Sequence, residues 1–298
     1  MTIIDMHSHW ATRRGYPLQS DEELAQQERT WRSSPAYRTE AEMAEDFRRA
    51  GVRVILDFGY SKYLAPDQAR PLHDYGFATI RAHPDVMLGQ WVHFQAELGI
   101  PALAEFHRVL EIGTAGGFFV GLAVSGSGGL PASDPAWDPF YRLCIEARAP
   151  ALIFVGTTGL GAGLPGGMGI TLDSCHPRHL DQVAARFADL TIIAARPAWP
   201  WQSEMIAILL HKPNVWCELH GWSPRYFTDE LKREIPRRLA ERVMFAADYP
   251  LFSYERLFAD WRALGYDDRI TERIFHGNAA ALLDGLGRRF SGTPLAQA

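Results

Sequence analysis

Eight short runs rich in β-branched and aromatic residues recur along the chain, with longer amphipathic segments between them. Several runs lack polar alternation, which is typical of strands buried on both faces in a parallel sheet. Eight strands, each followed by a helix, predict a single-domain (β/α)₈ TIM barrel of the α/β class over residues 1–298. An open doubly wound sheet is the alternative, which the lack of G-x-G-x-x-G after the first run disfavours. The predicted strands are 3–9, 52–59, 86–94, 118–124, 151–155, 191–195, 215–219 and 243–247.

Unequal spacing between the strands points to the functional end of the barrel. Loops that leave the carboxyl ends of barrel strands build the active site, and three such loops are long: 10–38, 156–175 and 220–228. The second of them contains seven glycines, which suits a lid, backbone donors to an anion, or a flexible connector. The predicted helices include 40–51, 101–113 and 200–212.

Composition and charge exclude two classes of partner. The chain has 30 basic and 35 acidic residues, a net charge of −5, so it lacks the basic footprint of a nucleic-acid or acidic-lipid binder. No apolar run reaches the ~18 residues of a membrane span, and the start does not resemble a signal peptide. An odd number of scattered cysteines indicates reduced thiols. We therefore predict a cytoplasmic protein with a small-molecule substrate. The cysteines are Cys144, Cys175 and Cys217.

The first strand, IIDMHSH, carries Asp5, His7 and His9 at alternate positions. Alternate residues of a strand face the same way, so these side chains are predicted to share one face near the barrel mouth. Leaving them buried and unpaired would cost a few kcal/mol each. A divalent metal bound by two neutral imidazoles would remove much of that cost. Asp5 is predicted to lie deeper, outside the ligand set, and to accept a hydrogen bond from a ligand ring.

A third ligand is predicted at the end of the last strand, where the apolar run VMFAA stops at Asp248. Closure of a barrel makes the first and last strands neighbours. His7, His9 and Asp248 would then form a set of two histidines and one carboxylate with open positions for water or substrate. Such a set holds Zn²⁺, Mn²⁺ or Fe²⁺. The alternatives are a polar cluster satisfied without metal and, for Asp248, an ordinary turn residue.

The segments IIDMHSH, VMFAADYP and IFHGNAAALL resemble the amidohydrolase superfamily, specifically its amidohydrolase-2 branch, and the resemblance spans nearly the whole chain. The branch includes aminocarboxymuconate semialdehyde decarboxylase and γ-resorcylate decarboxylase. The resemblance implies a barrel of the metal-dependent-hydrolase type with one divalent metal, usually zinc. It also implies four ligands: the two strand-one histidines, a strand-five histidine and the strand-eight aspartate. His7, His9 and Asp248 match three of them, and Asp248 is also predicted to take part in catalysis.

Two positions depart from the pattern of the branch. Strand five offers Phe154 or Val155 where the resemblance implies a ligand histidine, and neither can bind a metal. Strand six is followed by Arg196 where a catalytic histidine is implied. An arginine carries only donors and is no base at neutral pH. We predict that Arg196 binds a substrate carboxylate or stabilises a developing oxyanion, and that His220, after strand seven, donates or accepts the proton.

Other residues are candidates for substrate binding. His176 follows the glycine-rich segment and is predicted to contact substrate or to fold back as a substitute ligand. Trp199 and Trp222 follow strand ends and are predicted to wall an aromatic pocket, and His93 is a weaker candidate for the mouth. The alternatives are capping or surface roles for the histidines and core packing for the tryptophans.

The predicted function is a metal-dependent hydrolase or carbon–carbon lyase acting on a carboxylate or β-keto substrate, with the metal as Lewis acid or activator of water. The substrate is aromatic or an acyl-CoA in the relatives that the segments RPAWPW and HGWSP resemble, members named 4-hydroxyphenyl-β-ketoacyl-CoA hydrolases. One alternative is a non-oxidative decarboxylase of an aromatic or enol acid. Another is a barrel that has lost catalysis and acts as a binding subunit. Analogy with the branch also predicts a homo-oligomer.

Overall fold

The computed structural model describes residues 2–16, 20–31, 37–61 and 63–287. Eight parallel strands pair each with the next, in the order β1 to β8. This confirms the predicted (β/α)₈ barrel. Parts of the predicted first loop, 17–19 and 32–36, lie outside the described residues. The strands are β1 Ile3–His9, β2 Val52–Asp57, β3 Met87–His93, β4 Phe119–Val124, β5 Ala151–Phe154, β6 Ile192–Ala195, β7 Val215–Glu218 and β8 Val243–Met244.

The last strand, β8, is shorter than predicted. The chain beyond it nevertheless runs beside β1 and closes the barrel through single backbone hydrogen bonds. The Met6 amide donates to the Phe245 carbonyl at 3.1 Å, and the His9 amide donates to the Tyr249 carbonyl at 2.7 Å. The residues that follow β8 are therefore fixed against β1 although they form no regular strand.

Helices surround the strands, and the predicted segments 40–51, 101–113 and 200–212 are confirmed as helices. The helix after the first long loop begins with a capping box in which Thr39 and Glu42 bond reciprocally. Every helix in the described ranges is too short or too polar to span a lipid bilayer. The helices are α1 Asp21–Trp31, α2 Glu40–Ala50, α3 Pro66–Ala82, α4 Ile100–Gly116, α5 Asp138–Ala147, α6 Pro177–Arg186, α7 Gln202–His211, α8 Asp229–Glu234, α9 Tyr254–Arg262, α10 Asp268–Glu272 and α11 Asn278–Gly285.

Apolar side chains fill the interior of the barrel below the carboxyl ends of the strands. Helix α11 contributes Leu282 and Leu283 to this cluster, and the Trp91 indole within it donates to the Met6 carbonyl at 2.8 Å. A filled barrel leaves only its mouth for polar groups and ligands. The interior cluster includes Ile4, Met6, Ile55, Leu88, Trp91, Phe119, Leu152, Phe154, Ile193 and Met244.

A β-bulge interrupts β1. Asp5 and Ser8 pair with Val54 and Leu56 of β2, so three steps of β1 lie against two steps of β2. The extra residue breaks the alternation of side chains. Asp5 and Ser8 therefore turn toward each other, and the Ser8 hydroxyl donates to Asp5 at 2.6 Å. The predicted common face for Asp5 and the two histidines of this strand is wrong, because the bulge separates them.

Asp5 is a buried acceptor that joins β1 to the closing segment. Its Oδ1 accepts from the backbone amides of His7 at 3.1 Å and Ala247 at 3.0 Å. Its Oδ2 accepts from the hydroxyls of Ser8 and Tyr254, the latter at 2.7 Å. These donors are backbone amides and hydroxyls, so the predicted hydrogen bond from a ligand ring to Asp5 is corrected. The role of Asp5 is to fix the backbone that carries the site.

Tyr254→Phe is expected to destabilise the fold by about 1–2 kcal/mol, because a buried carboxylate loses one of its donors. The measurement is the free energy of unfolding in urea. Tyr226→Phe is the control, since the Tyr226 side chain lies on the surface with 62% exposure. Equal stability of the Tyr254→Phe protein and the parent protein would contradict the role assigned to this hydrogen bond.

Candidate active site

Polar side chains from several strand ends converge at the mouth of the barrel. All are buried except His9 and Arg196, which are partly exposed. Their convergence follows from the topology, because the carboxyl ends of parallel barrel strands meet at one face. The group consists of His7, His9, Asp57, His93, Arg196, Glu218, His220 and Asp248.

The three predicted metal ligands lie together. One ligand atom each of His7, His9 and Asp248 falls within 4.8 Å of the others. The His9 Nε2 and Asp248 Oδ1 atoms are 3.0 Å apart. The rings of His7 and His9 meet edge to face, with centroids 5.2 Å apart and planes at 81°. This geometry brings two imidazoles and one carboxylate to a common point.

The pKa values of His7 and Asp248 suit cation binding, whereas the raised pKa of His9 means that this imidazole must lose a proton when it binds an ion. Burial lowers the pKa of His7 to about 4, so its imidazole is neutral at pH 7 and retains a lone pair. Burial lowers the pKa of His9 too, but the hydrogen bond and charge of Asp248 raise it above its usual value. Burial alone would raise the pKa of Asp248, yet the His9 hydrogen bond and neighbouring imidazoles hold it well below its usual range. The carboxylate is therefore ionised.

A second group lies on the other side of His7. Glu218 Oε1 is 3.5 Å from His7 Nδ1, and the rings of His7 and His220 stack 3.8 Å apart with planes at 10°. One ligand atom of each of these three residues also falls within 4.8 Å of the others. The lone pair of an imidazole nitrogen lies in the plane of its ring. Because the planes of His7 and His220 are nearly parallel, their lone pairs do not point at a common ion in this arrangement. The first group is the better metal site.

Hydrogen bonds fix the tautomer of His220. Arg196 Nε always carries a proton, so His220 Nε2 accepts this bond at 3.2 Å. The proton of the neutral ring is then on Nδ1, which donates to Glu218 Oε1 at 2.5 Å. The His220 amide donates to Glu218 Oε2 at 2.9 Å. Burial lowers the pKa of His220 to about 3 and raises that of Glu218 to about 7. The ring is therefore a neutral acceptor at Nε2.

Arg196 lies over the mouth in a strained conformation. Its φ of +82° is a region that non-glycine residues rarely adopt, and Asp248 is similar at +61°. Strained backbone of this kind clusters at functional sites. The Arg196 guanidinium donates to the Thr157 carbonyl at 3.1 Å and lies 4.9 Å above the ring of Phe154.

Strand β5 contributes an aromatic ring instead of a ligand. Phe154 meets His7 edge to face at 5.6 Å and His220 at 5.7 Å between ring centroids. An apolar ring thus fills the space beside the two histidines. Phe154 therefore lies at the centre of the site, where the resemblance to the amidohydrolase-2 branch implied a ligand histidine.

Unsatisfied polar atoms test whether the site suits a cation. Within the described ranges, both ring nitrogens of His7 and Asp57 Oδ2 are buried without a hydrogen-bond partner. Buried polar atoms are costly unless they are paired. A divalent cation at the mouth would satisfy a lone pair of His7 and carboxylate charge together. The residues present therefore fit a metal ion.

The two predicted pocket tryptophans form a pair beside the mouth. The rings of Trp199 and Trp222 lie 5.7 Å apart at 35°, and Trp199 is 44% exposed. The amide of Thr157 donates to the Trp199 carbonyl at 2.8 Å, which ties this wall to the loop after β5. The exposed ring of Trp199, three residues after Arg196 in the chain, can contact a flat or apolar substrate group.

His176 lies apart from the central group. It caps the amino terminus of α6, where its Nδ1 accepts from the Arg178 amide at 3.1 Å. Its Nε2 is 3.5 Å from Glu204 and its ring is 4.5 Å from that of Trp201. In the part of the chain that the structure describes, no hydrogen bond or ring contact joins His176 to the central histidines. The structure thus favours the capping interpretation over a substitute ligand.

Sequence reasoning missed two carboxylates, Asp57 and Glu218. Asp57 ends β2, and its Oδ1 pairs with His93 Nε2 at 2.6 Å; Glu218 ends β7. The available signal was positional. Each is an acidic residue at the end of an apolar run, as Asp248 is, and His93 stands in the same place on β3.

Comparison with known proteins places the chain in a family. The model of a family described as Amidohydrolase matches residues 4–285. No curated protein sequence matches the chain. An uncharacterized TIM-barrel protein from Bordetella bronchiseptica is 20% identical, with a TM-score of 0.73 and coverage of 97% of this chain and 100% of that one.

Two similar solved structures are decarboxylases. A 2,6-dihydroxybenzoate decarboxylase from Rhizobium is 13% identical, with a TM-score of 0.68 over 95% of this chain and 99% of that one. A dihydroxybenzoic acid decarboxylase from Polaromonas, with bound manganese and an inhibitor, is 15% identical, with a TM-score of 0.66 over 95% and 96%. At these identities the likeness establishes the fold, while the family match covers nearly the whole chain. The description of the family is that of an enzyme, which disfavours the alternative of a binding subunit. The chain therefore belongs to the amidohydrolase family and is an enzyme of the hydrolase or lyase kind.

Proposed function

We propose that the enzyme cleaves a carbon–carbon or carbonyl-derivative bond in a small substrate bearing a carboxylate or β-keto group, with a divalent metal. One observation carries this proposal. The Arg196 guanidinium donates to His220 Nε2 at 3.2 Å, beside the point where His7, His9 and Asp248 converge. An anion-binding group, a neutral proton acceptor and a cation site thus share one barrel mouth.

His7, His9 and Asp248 would hold the metal. We propose zinc, which suits two imidazoles and a carboxylate, and manganese is the alternative because a similar decarboxylase from Polaromonas contains it. When bound, a divalent ion polarises a carbonyl or hydroxyl oxygen of the substrate or lowers the pKa of a water. The open positions of a three-ligand set leave room for either.

Arg196 is proposed to bind the substrate carboxylate. Its planar fork suits a bidentate pair with a carboxylate, and its other contacts are a backbone carbonyl and an aromatic face. Those contacts leave the guanidinium without a carboxylate partner among the described residues. When Arg196 turns toward substrate, the hydrogen bond to His220 Nε2 is released. Substrate binding thereby exposes the proton acceptor.

His220 is proposed to move the proton at Nε2. Glu218 accepts a hydrogen bond from the Nδ1–H group of His220. This bond keeps the ring oriented and stabilises the positive charge on it once Nε2 is protonated. For hydrolysis, Nε2 takes a proton from the attacking water and passes it to the leaving group.

Decarboxylation of an aromatic or enol acid is a second candidate. The aromatic wall of Phe154, Trp199 and Trp222 suits a flat acid, and two similar structures are decarboxylases of dihydroxybenzoates. In this reaction His220 Nε2 takes a proton from a substrate hydroxyl. It returns that proton to the carbon that loses CO₂, so atoms and charge balance without an added reactant.

With Zn²⁺ or Mn²⁺ supplied, we expect turnover of at least one acid in a panel of hydroxybenzoates, enol acids and β-keto acids. The matching methyl esters should not react, because they offer Arg196 no carboxylate. Release of CO₂ would assign a lyase, and incorporation of oxygen from ¹⁸O-labelled water would assign a hydrolase. Equal turnover of acid and ester, or none across the panel by fully metallated protein, would contradict the proposal.

A further inference from the structure

A cleft of about 430 Å³ opens at the end of the barrel opposite the mouth. Arg242, which lines this cleft, immediately precedes β8, whereas Asp248 of the mouth follows that strand. The amino ends of parallel barrel strands meet at the face opposite their carboxyl ends. A volume of this size is typical of sites for small molecules. The cleft is therefore separate from the candidate active site and large enough for a ligand of its own.

Arginine dominates the lining of this cleft. Five guanidinium groups and one carboxylate line it, an excess of four positive charges in a chain whose net charge is −5. Like charges in one cleft repel each other, which is unfavourable until an anion neutralises them. The charged lining residues are Arg237, Arg238, Glu241, Arg242, Arg269 and Arg273.

Two of the five arginines are already paired with a carboxylate. Arg273 donates to Glu241 at 2.8 Å, and Arg238 donates to Glu234 at 2.6 Å. The other three have no carboxylate oxygen within 4.0 Å in the part of the chain that the structure describes. Most of the positive charge in the cleft is therefore left for an anion from outside the chain.

The three arginines without a carboxylate partner keep most of their hydrogen-bond donors. Arg242 Nη1 donates to the Pro213 carbonyl at 2.6 Å, and the guanidinium lies 5.4 Å above the ring of Trp216. These contacts hold the Arg242 side chain and use one of its five N–H donors. Arg237 and Arg269 are exposed, and their side chains form no hydrogen bond with another described residue. Together the three present many donors from a partly fixed arrangement.

The chemistry of these donors favours phosphate as the ligand group. A phosphate group carries about −1.5 to −2 charges at pH 7 and three acceptor oxygens, and the planar fork of arginine matches it in two-point contacts. Two phosphate groups therefore balance the excess of four positive charges. Leu209 and Ile270, which are 3% and 2% exposed, form an apolar floor beside them. This floor offers a surface to the rest of such a molecule.

We propose that this cleft binds a small molecule that carries two adjacent phosphate groups. Arg237, Arg242 and Arg269 bind the phosphate oxygens. The ligand is held at the opposite end of the barrel from the catalytic groups, so it is not the substrate of the proposed reaction. The inference is therefore independent of the proposed function.

The full-length protein is titrated with sodium pyrophosphate in a calorimeter, in about 0.15 M KCl to screen non-specific attraction between exposed charges. We expect a dissociation constant below about 1 mM. Inorganic phosphate should bind at least about 10-fold more weakly, because one phosphate group engages fewer guanidinium groups. A parallel titration with ADP distinguishes two sources of the diphosphate. Tighter binding of ADP would assign an organic diphosphate, and tighter binding of pyrophosphate would assign the inorganic ion.

The double variant Arg237→Ala/Arg269→Ala is expected to weaken pyrophosphate binding at least about 10-fold, because it removes charged donors to the anion. Both side chains are exposed, so the variant should fold as the parent protein does. Arg142→Ala is the matched control. Arg142 lies on α5 with 63% of its side chain exposed, and its loss should leave the affinity for pyrophosphate unchanged.

Two variants at the mouth show which end of the barrel holds the anion. Arg196→Ala and His9→Ala should bind pyrophosphate as tightly as the parent protein, since both residues lie at the other end. Loss of binding in either would place the anion in the candidate active site and overturn the proposal. Parental affinity in the double variant, or equal affinity for phosphate and pyrophosphate, would overturn it as well.

Discussion

Replacing His9 by alanine is expected to remove the bound divalent metal and to lower kcat/KM at least about 1,000-fold. Loss of a residue that only supports a metal ligand already lowers metal affinity or activity about 10- to 100-fold, and loss of a ligand itself should cost more. The change deletes one of the converging donors. It also leaves the Asp248 carboxylate without the imidazole 3.0 Å away. Elemental analysis of protein purified without chelator gives the metal content, and steady-state kinetics give the loss.

His107→Ala is the control for this experiment. His107 lies on α4 with 57% of its side chain exposed, so its loss should change neither metal content nor kinetics. Since His9 is partly exposed at the rim, the His9→Ala protein is expected to remain folded. A folded His9→Ala protein with a full complement of metal would show that the ion, if required, is held elsewhere.

The barrel could be predicted because its signal is repeated. Each of the eight apolar runs predicts a strand followed by a helix, so an error in the predicted end of one strand does not change the topology. The ends of β8 show the limit of this signal. The segment VMFAA has the composition of a strand, yet only Val243–Met244 forms a regular one. The residues after it pair with β1 through single backbone hydrogen bonds, and Asp248 adopts a φ of +61°.

The convergence of His7, His9 and Asp248 could be anticipated from the order of the strands, whereas the face of Asp5 could not. Strict alternation placed Asp5 with the histidines, and the bulge between Asp5 and Ser8 overturned that. A bulge depends on how the backbone of β1 pairs with that of β2, and the sequence of β1 alone does not show this pairing.

The carboxylates Asp57 and Glu218 were missed for a different reason. A single acidic residue at the end of an apolar run is also what a turn requires. What distinguishes these two is their contact with His7, at 3.0 Å and 3.5 Å. Those contacts join residues far apart in the chain and have no signature in local sequence. His176 shows the opposite case. Its role follows from local sequence, because its ring caps the amino terminus of α6 two residues away.

Arg196→Ala is expected to lower kcat/KM about 100- to 1,000-fold on the acid substrate, the cost of removing one preorganised donor to a developing charge. Arg196→Lys should recover only part of the loss, since lysine keeps the charge but not the planar fork. Added guanidine should restore activity to the alanine protein. Kinetics on the acid measure each effect. Arg225→Ala is the control, because Arg225 is exposed on the loop after β7.

A glycine variant separates the effect of the Arg196 side chain from that of its backbone. Its φ of +82° strains alanine as well as arginine, whereas glycine adopts this conformation freely. If the side chain binds substrate, Arg196→Gly should lose as much activity as Arg196→Ala while it is at least as stable to urea. If the loss instead reflected a misplaced loop, glycine would retain more activity than alanine and guanidine would rescue neither. That result would remove Arg196 from the proposed mechanism and return the recognition of substrate to the metal and the tryptophan pair.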